Sequence, residues 1–328
     1  MVKGNLFLNR CCSKLMNVAL LGGICFPLFA QNQVELLPYG KMDQWILREM
    51  RESALIGKKN KVLYAPGKPD TIRGEMTYDP GDSPWATSSV IAKVSGITKV
   101  STSVYPEKRG NGYCARMETQ IDSCSALGIV HIHVLVGGSI YLGRAIEPVK
   151  DTSDPRSKIA SGIAFNKRPK ALVFDYKVHL SGQSDRIRLD GFSRKQKVNG
   201  KDKPLVCLYL QKRWEGKDGA LYAKRIGTRV IPFDVSCDWV NQAVFPIWYG
   251  DITQRADYQP WMGLITGSEA RYAFNSLGKN VPIKEIGWGN ADDEPTHLIL
   301  EFLSSHGGSY IGSPGNMFWI DNIGFVYE

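Results

Sequence analysis

The sequence predicts an all-β fold, a sandwich or a barrel made of many short strands. Apolar and polar residues alternate over Ala171–Leu180, so that one face of this segment is apolar and the other is polar. Turns rich in Gly, Pro, Asn and Asp separate such segments, and few helical patterns lie between them, which argues against a parallel α/β sheet. The strand candidates are residues 129–136, 171–180, 205–211, 296–303 and 317–327.

A helical pattern precedes the predicted strands. Apolar residues recur there at spacings near three and four, with basic and acidic residues between them. They are Met42, Trp45, Ile46, Met50 and Ala54. The pattern predicts a short amphipathic helix over residues 41–54 that ends near Gly57 and caps one end of the β core.

The first 30 residues have the layout of a secretory signal peptide. Residues 1–17 hold three basic residues and no acidic one, and the apolar stretch 18–29 ends at Ala30 before a polar run. That stretch is shorter than the about 20 residues that span a bilayer. A lipoprotein anchor would need a small residue before Cys25, where Ile24 stands. We therefore expect an exported protein that is periplasmic, secreted or held at the cell surface.

Length and charge fit one large β domain or two small ones. Removal of residues 1–30 would leave 298 residues and lower the formal charge from +9 to +6. Basic and acidic residues are interleaved, which argues against a nucleic-acid partner, and no later segment could span a membrane. We predict a lead-in segment with the helix over 31–80 and a β-sandwich over 81–328. The polar segment 147–156 could separate two sheets of one domain or two domains.

Four cysteines would remain after export. They are Cys114, Cys124, Cys207 and Cys237, which permit three disulfide pairings between them. No C-x-x-C motif is present. Cys207 lies within an apolar strand pattern, so we predict that it is a buried free thiol.

Two further motifs lack the partners that their chemistry needs. His131 and His133 would point to one face of a strand, which is half of a metal site, but no third ligand follows a supporting pattern. The glycine-rich segment 307–315 lacks the Gly-Lys-Ser/Thr ending of a phosphate loop and precedes a strand, so we interpret it as a loop. We predict no metal and no cofactor.

Carboxylates are candidates for glycoside hydrolysis, which needs two of them roughly 5 to 10 Å apart. Eight are possible on the pattern alone: Asp175, Asp190, Glu215, Asp251, Asp292, Asp293, Glu294 and Glu301. Asp175 and Glu301 lie on the polar faces of two strong strand patterns, and we take them as the candidate catalytic pair. The alternative is that both are ordinary solvated charges.

Tryptophans point more directly to a ligand. All eight follow residue 30, and several lie in polar, loop-like surroundings, such as Trp85 and Trp288. An indole can cover the apolar face of a pyranose while neighbouring polar groups bind its hydroxyls. The alternative is that a given tryptophan is buried in the core. The predicted carbohydrate contacts are Arg213, Trp214, Asp251, Tyr258 and Trp261.

Several motifs together resemble the PCMD domain of exported Bacteroidetes proteins, which is named for a role in carbohydrate metabolism. They lie at 83–88, 106–112, 168–178, 295–305 and 319–327, and the likeness covers most of residues 80–328. The resemblance implies a jelly-roll-like β-sandwich similar to galactose-binding and carbohydrate-binding modules. It supplies no catalytic residues, and it implies a structural, turn-forming role for Asp321.

The sequence thus predicts an exported carbohydrate-binding protein that takes part in glycan or polysaccharide utilisation. Its expected partners are an oligosaccharide or polysaccharide and other glycan-utilisation proteins of the envelope. Two alternatives stay open: a glycoside hydrolase that uses a pair of carboxylates, and a surface adhesion component that recognises protein.

Overall fold

The computed structural model describes residues 33–74, 76, 78–94, 96–126, 130–151, 153–191 and 193–327. The predicted signal peptide lies outside these residues. Gln33–Glu328 form one compact unit. None of the helices in this part of the chain has the length and apolar character needed to span a membrane.

The described residues form 25 strands and four short 3-10 helices. In chain order the strands are β1 Val34–Leu36, β2 Trp45–Arg51, β3 Asn60–Pro66, β4 Asp70–Arg73, β5 Trp85–Thr87, β6 Val90–Val94, β7 Ile97–Ser101, β8 Val104–Arg109, β9 Gly112–Ala126, β10 Val130–Gly137, β11 Ser139–Ala145, β12 Ile159–Ser161, β13 Ile163–Ala164, β14 Ala171–His179, β15 Arg186–Arg188, β16 Gln196–Val198, β17 Leu205–Glu215, β18 Leu221–Pro232, β19 Cys237–Pro246, β20 Trp248–Tyr249, β21 Tyr272–Phe274, β22 Asn280–Trp288, β23 His297–Leu303, β24 Ile311–Gly312 and β25 Met317–Val326. The 3-10 helices are Ala54–Ile56, Pro155–Lys158, Pro260–Met262 and Gly267–Glu269.

Two large sheets form a β-sandwich, which confirms the predicted fold class. The seven-stranded sheet has the order β10-β9-β25-β14-β19, with β1 beside β25 and β8 beside β9. The ten-stranded sheet has the order β12-β11-β23-β17-β18-β22-β21, with β13, β20 and β5 attached. A first apolar cluster takes residues from both sheets, among them Phe174 of β14 and Phe302 of β23, whose ring centroids are 5.2 Å apart. This cluster is the core of the sandwich.

The ten-stranded sheet curls until its two ends meet. β12 and β21 stand at opposite ends of the strand order, yet they lie against each other. A second apolar cluster, with Cys207, Tyr209 and Ile299, fills the inside of this curl. Burial raises the pKa of the Cys207 thiol to about 11. The prediction that Cys207 is a buried free thiol is confirmed, and the other three cysteines are also free.

The predicted helix over residues 41–54 is wrong. Trp45–Arg51 form strand β2, which pairs with β3 on one side and with β4 on the other. Burial explains the error, because Trp45 and Arg48, which point to opposite faces of this strand, are both buried. Arg48 forms a 2.7 Å ion pair with Glu147. Strand pairing and burial on both faces override the helical spacing.

The strong strand patterns are confirmed. The five predicted segments correspond to β10, β14, β17, β23 and β25. Along β14 the predicted alternation also holds, since Leu172, Phe174 and Val178 belong to the first cluster and Asp175 lies on the other face.

Candidate functional site

A polar cleft of about 660 Å³ lies between four segments of the chain. They are the loop between β11 and β12, the end of β15, the residues that lead into β21, and the loop between β23 and β24. The lining residues are Asp151, Ser153, Asp154, Pro155, Arg156, Arg188, Asp190, Ser268, Tyr272, Ser309 and Tyr310. Their side chains combine carboxylates, guanidinium groups, hydroxyls and two phenol rings.

Hydrogen bonds between loops fix one wall of the cleft. Asp154 caps the 3-10 helix Pro155–Lys158 and also accepts a 3.0 Å hydrogen bond from the Tyr272 hydroxyl. Arg156 donates to the Ser268 carbonyl at 2.6 Å and forms an ion pair with Glu269. The loop after β11 is therefore tied to the start of β21, and the wall is formed before any ligand binds.

Turns stabilised by local hydrogen bonds form the opposite wall of the cleft. Asp190 accepts hydrogen bonds from the backbone nitrogen (2.9 Å) and the hydroxyl (2.8 Å) of Ser193, and Arg188 lies 3.6 Å from its carboxylate. The Leu189 backbone nitrogen donates to the Tyr310 carbonyl at 3.0 Å. Tyr310 has a φ of +64°, a left-handed conformation that is uncommon outside glycine.

A buried aspartate anchors the glycine-rich loop that carries Tyr310. Asp202 accepts hydrogen bonds from the Ser313 backbone nitrogen (2.8 Å), the Asn316 amide (3.2 Å) and the Ser305 hydroxyl (3.0 Å). Its side chain is fully buried. The sequence identified this segment as a loop and assigned no role to it, whereas the structure places it in a wall of the cleft.

The lining side chains offer hydrogen-bonding groups of the kind that a polyhydroxylated ligand needs. Asp151 is ionised at neutral pH, because the backbone nitrogen and hydroxyl of Ser153 lower the pKa of its carboxyl group. A carboxylate offers about four lone-pair sites, so Asp151 keeps acceptor capacity after these two bonds. The rings of Tyr272 and Tyr310 supply surfaces on which a sugar can stack.

The sequence did not single out Asp151, Asp154, Arg156, Tyr272 and Tyr310. They come from segments far apart in the chain, and no local spacing links them. Two signals did point toward the cleft. The polar segment 147–156 and the glycine-rich segment 307–315 were noted as a seam and a loop, and both line it.

The two tryptophans predicted as contacts are well exposed. Trp214 is 41% exposed and Trp261 is 50% exposed, whereas Trp85 is fully buried and donates its indole hydrogen to the Pro38 carbonyl. Trp214 lies on strand β17, whereas Trp261 lies in the 3-10 helix Pro260–Met262. Trp214 pairs with Tyr222, which points away from the second cluster, while Met262, next to Trp261, belongs to that cluster.

The other three predicted contacts do not join either tryptophan in one site. The guanidinium group of Arg213 points away from Trp214 and donates to the Gln211 side chain at 2.8 Å. Burial lowers the pKa of Arg213 to about 10. Tyr258 packs against the second cluster, and Asp251 is exposed and caps the Thr253 backbone nitrogen at 2.9 Å. The predicted set is thus divided over the two faces of the sheet.

The candidate catalytic pair is not brought together either. Asp175 lies on the outer face of the seven-stranded sheet, and Glu301 lies inside the curl of the ten-stranded sheet. Arg271 holds both oxygens of Glu301 with bonds of 2.8 and 2.6 Å. Their positions on separate sheets, with the first cluster between them, do not allow a shared substrate.

Asp175 belongs instead to a closed ionic cluster with Arg109, Trp239, Asp321 and Asn322, here called the Arg109 cluster. The Arg109 guanidinium bridges Asp175 (2.8 Å) and Asp321 (2.5 Å), so these two carboxylate oxygens lie within about 5 Å of each other. Burial raises the pKa of Asp321 to about 6, and the neighbouring Asp175 adds to the effect. The Arg109 guanidinium lies 3.7 Å from the Trp239 ring centroid.

Within the Arg109 cluster, donors of the protein occupy both carboxylates. Asp175 also accepts from the Asn322 amide (2.8 Å) and the Gln242 backbone nitrogen (2.7 Å), and Asp321 accepts from the Asn322 backbone nitrogen (2.8 Å). The two aspartates are only 4% and 6% exposed. This arrangement fits the structural role that the resemblance implied for Asp321.

No group of three or more His, Cys, Asp or Glu side chains in the described part of the chain is placed to hold a metal ion. His131 and His133 are both exposed on one face of β10, as the strand pattern predicted. Nδ1 of His133 lies 2.7 Å from the Ser123 hydroxyl.

Comparisons with known proteins find no matching family model and no matching curated protein. Two solved structures are similar to the chain. One is a putative glycoside hydrolase from Bacteroides vulgatus ATCC 8482, with 14% identity, a TM-score of 0.38, and coverage of 90% of this chain and 96% of that one. The other is a putative glycoside hydrolase from Bacteroides thetaiotaomicron VPI-5482, with 13% identity, a TM-score of 0.40, and coverage of 83% and 76%. Similarity at this level carries no argument about function.

Proposed function

We propose that the protein binds a saccharide in the polar cleft. The observation that carries the proposal is the set of lining side chains, in which carboxylates and guanidinium groups stand beside the rings of Tyr272 and Tyr310. Charged groups bind sugar hydroxyls, and an aromatic ring covers the apolar face of a sugar. The volume of about 660 Å³ lies within the range of ligand pockets and suits a short oligosaccharide.

Binding is favoured over hydrolysis because of how the carboxyl groups are held. A general acid in a glycosidase needs a raised pKa. In the cleft the pKa of Asp151 is lowered, and Asp154 and Asp190 act as caps of local turns. Asp321, whose pKa is raised, lies outside the cleft and is bound to Arg109.

Glycoside hydrolysis is the second candidate function, because three aspartates line one cleft. Release of reducing ends from a panel of polysaccharides, abolished by Asp154→Asn or Asp190→Asn, would establish it. We expect no such release.

The proposal includes export and a place in glycan utilisation. Export is supported by the signal-like residues 1–30. Membership of the PCMD family is supported by the motifs at 168–178 and 319–327. Expression of the full chain in a Bacteroidetes host, followed by cell fractionation, tests the location.

A glycan array followed by calorimetric titration of the tightest ligand tests the binding site. We expect Tyr272→Ala and Arg188→Ala to weaken binding by about 10- to 100-fold, because each removes a stacking or charged contact worth about 1.5–3 kcal/mol. Trp261→Ala is the matched control, since it removes a 50% exposed aromatic ring outside the cleft. Unchanged affinity in both cleft variants would contradict the proposal.

A further inference from the structure

A second solvent-facing surface lies where β17, β18 and β22 run beyond the first apolar cluster. Trp214 stands opposite Tyr222, and Tyr222 stands opposite Lys284 on the next strand. Lys212 and Lys224 lie opposite each other, two residues from the Trp214–Tyr222 pair on each strand. We call this surface the Lys–Trp face; it consists of Lys212, Trp214, Tyr222, Lys224, Lys284 and Ile286.

The positive charge of the Lys–Trp face is mostly uncompensated. All three lysines are exposed, and among the described residues Lys212 has a single carboxylate contact, 3.6 Å from Asp293. Within the described residues, neither Lys224 nor Lys284 has a carboxylate within 4.0 Å. Like charges directly opposite each other destabilise a sheet, so the Lys212–Lys224 pair has a cost that a bound anion would remove.

An oriented aromatic platform lies among these charges. The ring of Trp214 is nearly parallel to that of Tyr222, with an angle of 22° and 6.0 Å between centroids. Lys284 lies 5.3 Å from the Tyr222 ring centroid. Trp214 is 41% exposed and Ile286 is 55% exposed, so apolar surface remains open to a ligand.

The Lys–Trp face continues from the proposed saccharide cleft. Tyr272 of the cleft stands opposite Pro282, and Pro282 lies two residues before Lys284 on β22. Residues two apart on a strand share a face. A chain that stacks on Tyr272 can therefore extend along this face toward Lys284 and Trp214.

We propose that the ligand is an anionic polysaccharide, one whose sugar rings stack on Trp214 while its carboxylate or sulfate groups bind the lysines. This inference rests on the proposed function, because the same chain occupies the cleft. The surface favours a glycan over a nucleic acid. A phosphate on every unit would be repelled by Asp151, Asp154 and Asp190 in the cleft, whereas a polysaccharide can place uncharged units there.

Paired ligands that differ only in charge test the inference. The protein is titrated with a partly methyl-esterified oligogalacturonate, which has both charged and uncharged units, and with the same oligomer fully methyl-esterified; a sparsely sulfated dextran and dextran form a second pair for the sulfate source. We expect the partly esterified oligomer, or the sulfated dextran, to bind at least about 10-fold more tightly at low salt. The preference should largely disappear at about 0.5 M NaCl, where the Debye length falls to about 4 Å.

Substitutions of the three lysines test whether they cause the preference for the anionic ligand. The triple substitution Lys212→Gln, Lys224→Gln and Lys284→Gln should abolish the preference for the anionic ligand and keep the affinity for the neutral one. Tyr272→Ala should weaken both. Lys61→Gln, Lys68→Gln and Lys279→Gln together form the matched control, because these lysines lie outside the Lys–Trp face and leave the same net charge.

The outcomes distinguish failure of this inference from failure of the proposed function. If the protein binds both members of each pair equally, or if the triple variant keeps the preference, the inference is overturned and the cleft proposal stands. If it binds none of these four ligands and no glycan on an array, the proposed function and the inference both fail. Single-stranded DNA that binds as tightly as the anionic glycan also overturns the inference.

Discussion

The Arg109 cluster and the Lys–Trp face use the same residue types in opposite ways. Both lie on the surface of a sheet, and both combine a tryptophan with cationic side chains. On the seven-stranded sheet, each cation around the tryptophans has a carboxylate within 4.0 Å. The pairs are Arg109–Asp175, Arg109–Asp321, Arg116–Glu107, Arg116–Glu118 and Lys177–Asp238. On the Lys–Trp face, the three lysines together have one such contact with the part of the chain that the structure describes.

The comparison indicates that exposed rings and unpaired charges, rather than the types of residue present, distinguish a surface that can bind a ligand. Trp319 on the seven-stranded sheet is 6% exposed, and its indole nitrogen donates to Glu107 at 2.9 Å. Trp214 is 41% exposed, and no hydrogen-bond partner of its indole nitrogen occurs among the described residues. The first arrangement stabilises the fold, whereas the second leaves its groups available to a ligand.

The largest expected contrast is between these two tryptophans. Trp319→Ala should lower the free energy of unfolding by about 3–5 kcal/mol, because it removes a buried indole and leaves a cavity. Trp214→Ala should lower it by less than about 1 kcal/mol. Chemical denaturation of both variants measures the difference. Equal losses would show that the Lys–Trp face is part of the packed fold.

Arg109→Met should lower the free energy of unfolding by about 3 kcal/mol at pH 7. It leaves Asp175 and Asp321 buried within about 5 Å of each other without their shared cation. Denaturation at neutral pH measures the loss. A change below about 0.5 kcal/mol would mean that Arg109 does not hold the cluster together.

The pH dependence of stability should separate the two surfaces by up to about 2 kcal/mol. The pKa of Asp321 is raised in the folded protein, so its contribution is present below the usual pKa and is lost as the pH rises through about 6. Asp321→Asn should therefore make the free energy of unfolding flatter between about pH 4 and 7. A variant with the same slope as the wild type would contradict the assignment.

The smallest expected effect is a slight gain in stability on the Lys–Trp face. Lys224→Glu should raise the free energy of unfolding by about 0.2–1 kcal/mol, because it turns a like-charge pair with Lys212 into an attractive one. Thermal unfolding at low salt measures the gain, and Lys61→Glu is a control for the change in net charge. A loss of stability in Lys224→Glu would mean that the two lysines do not repel each other.

Local pattern predicted the sandwich but not the site. Alternation along β14 is a property of neighbouring residues, so Leu172 and Phe174 could be assigned to the core from the sequence. The cleft depends on contacts such as Tyr272 with Asp154, which are 118 residues apart. The helix over 41–54 failed for the same reason, since β3 and β4 pair with β2 and decide its conformation.

The exposed indoles show what composition can and cannot indicate. Trp214 and Trp261 were chosen for their polar neighbours in the sequence, and both are exposed. Arg213 turns toward the inside of the sheet, because alternate residues of a strand point to opposite faces. Tyr258, in the loop before the 3-10 helix Pro260–Met262, packs against the second cluster. Trp85 also has polar neighbours in the sequence, yet its indole is fully buried, so this criterion neither separates exposed from buried indoles nor indicates what surrounds them.

Hydrogen exchange measured by mass spectrometry, with and without the tightest saccharide from a glycan array, tests the central claim most directly. We expect slower exchange in peptides that contain the lining residues 153–156 and 309–310, and unchanged exchange in β8 and β25 around the Arg109 cluster. Protection confined to β8 and β25, or no protection at saturating saccharide, would contradict the account.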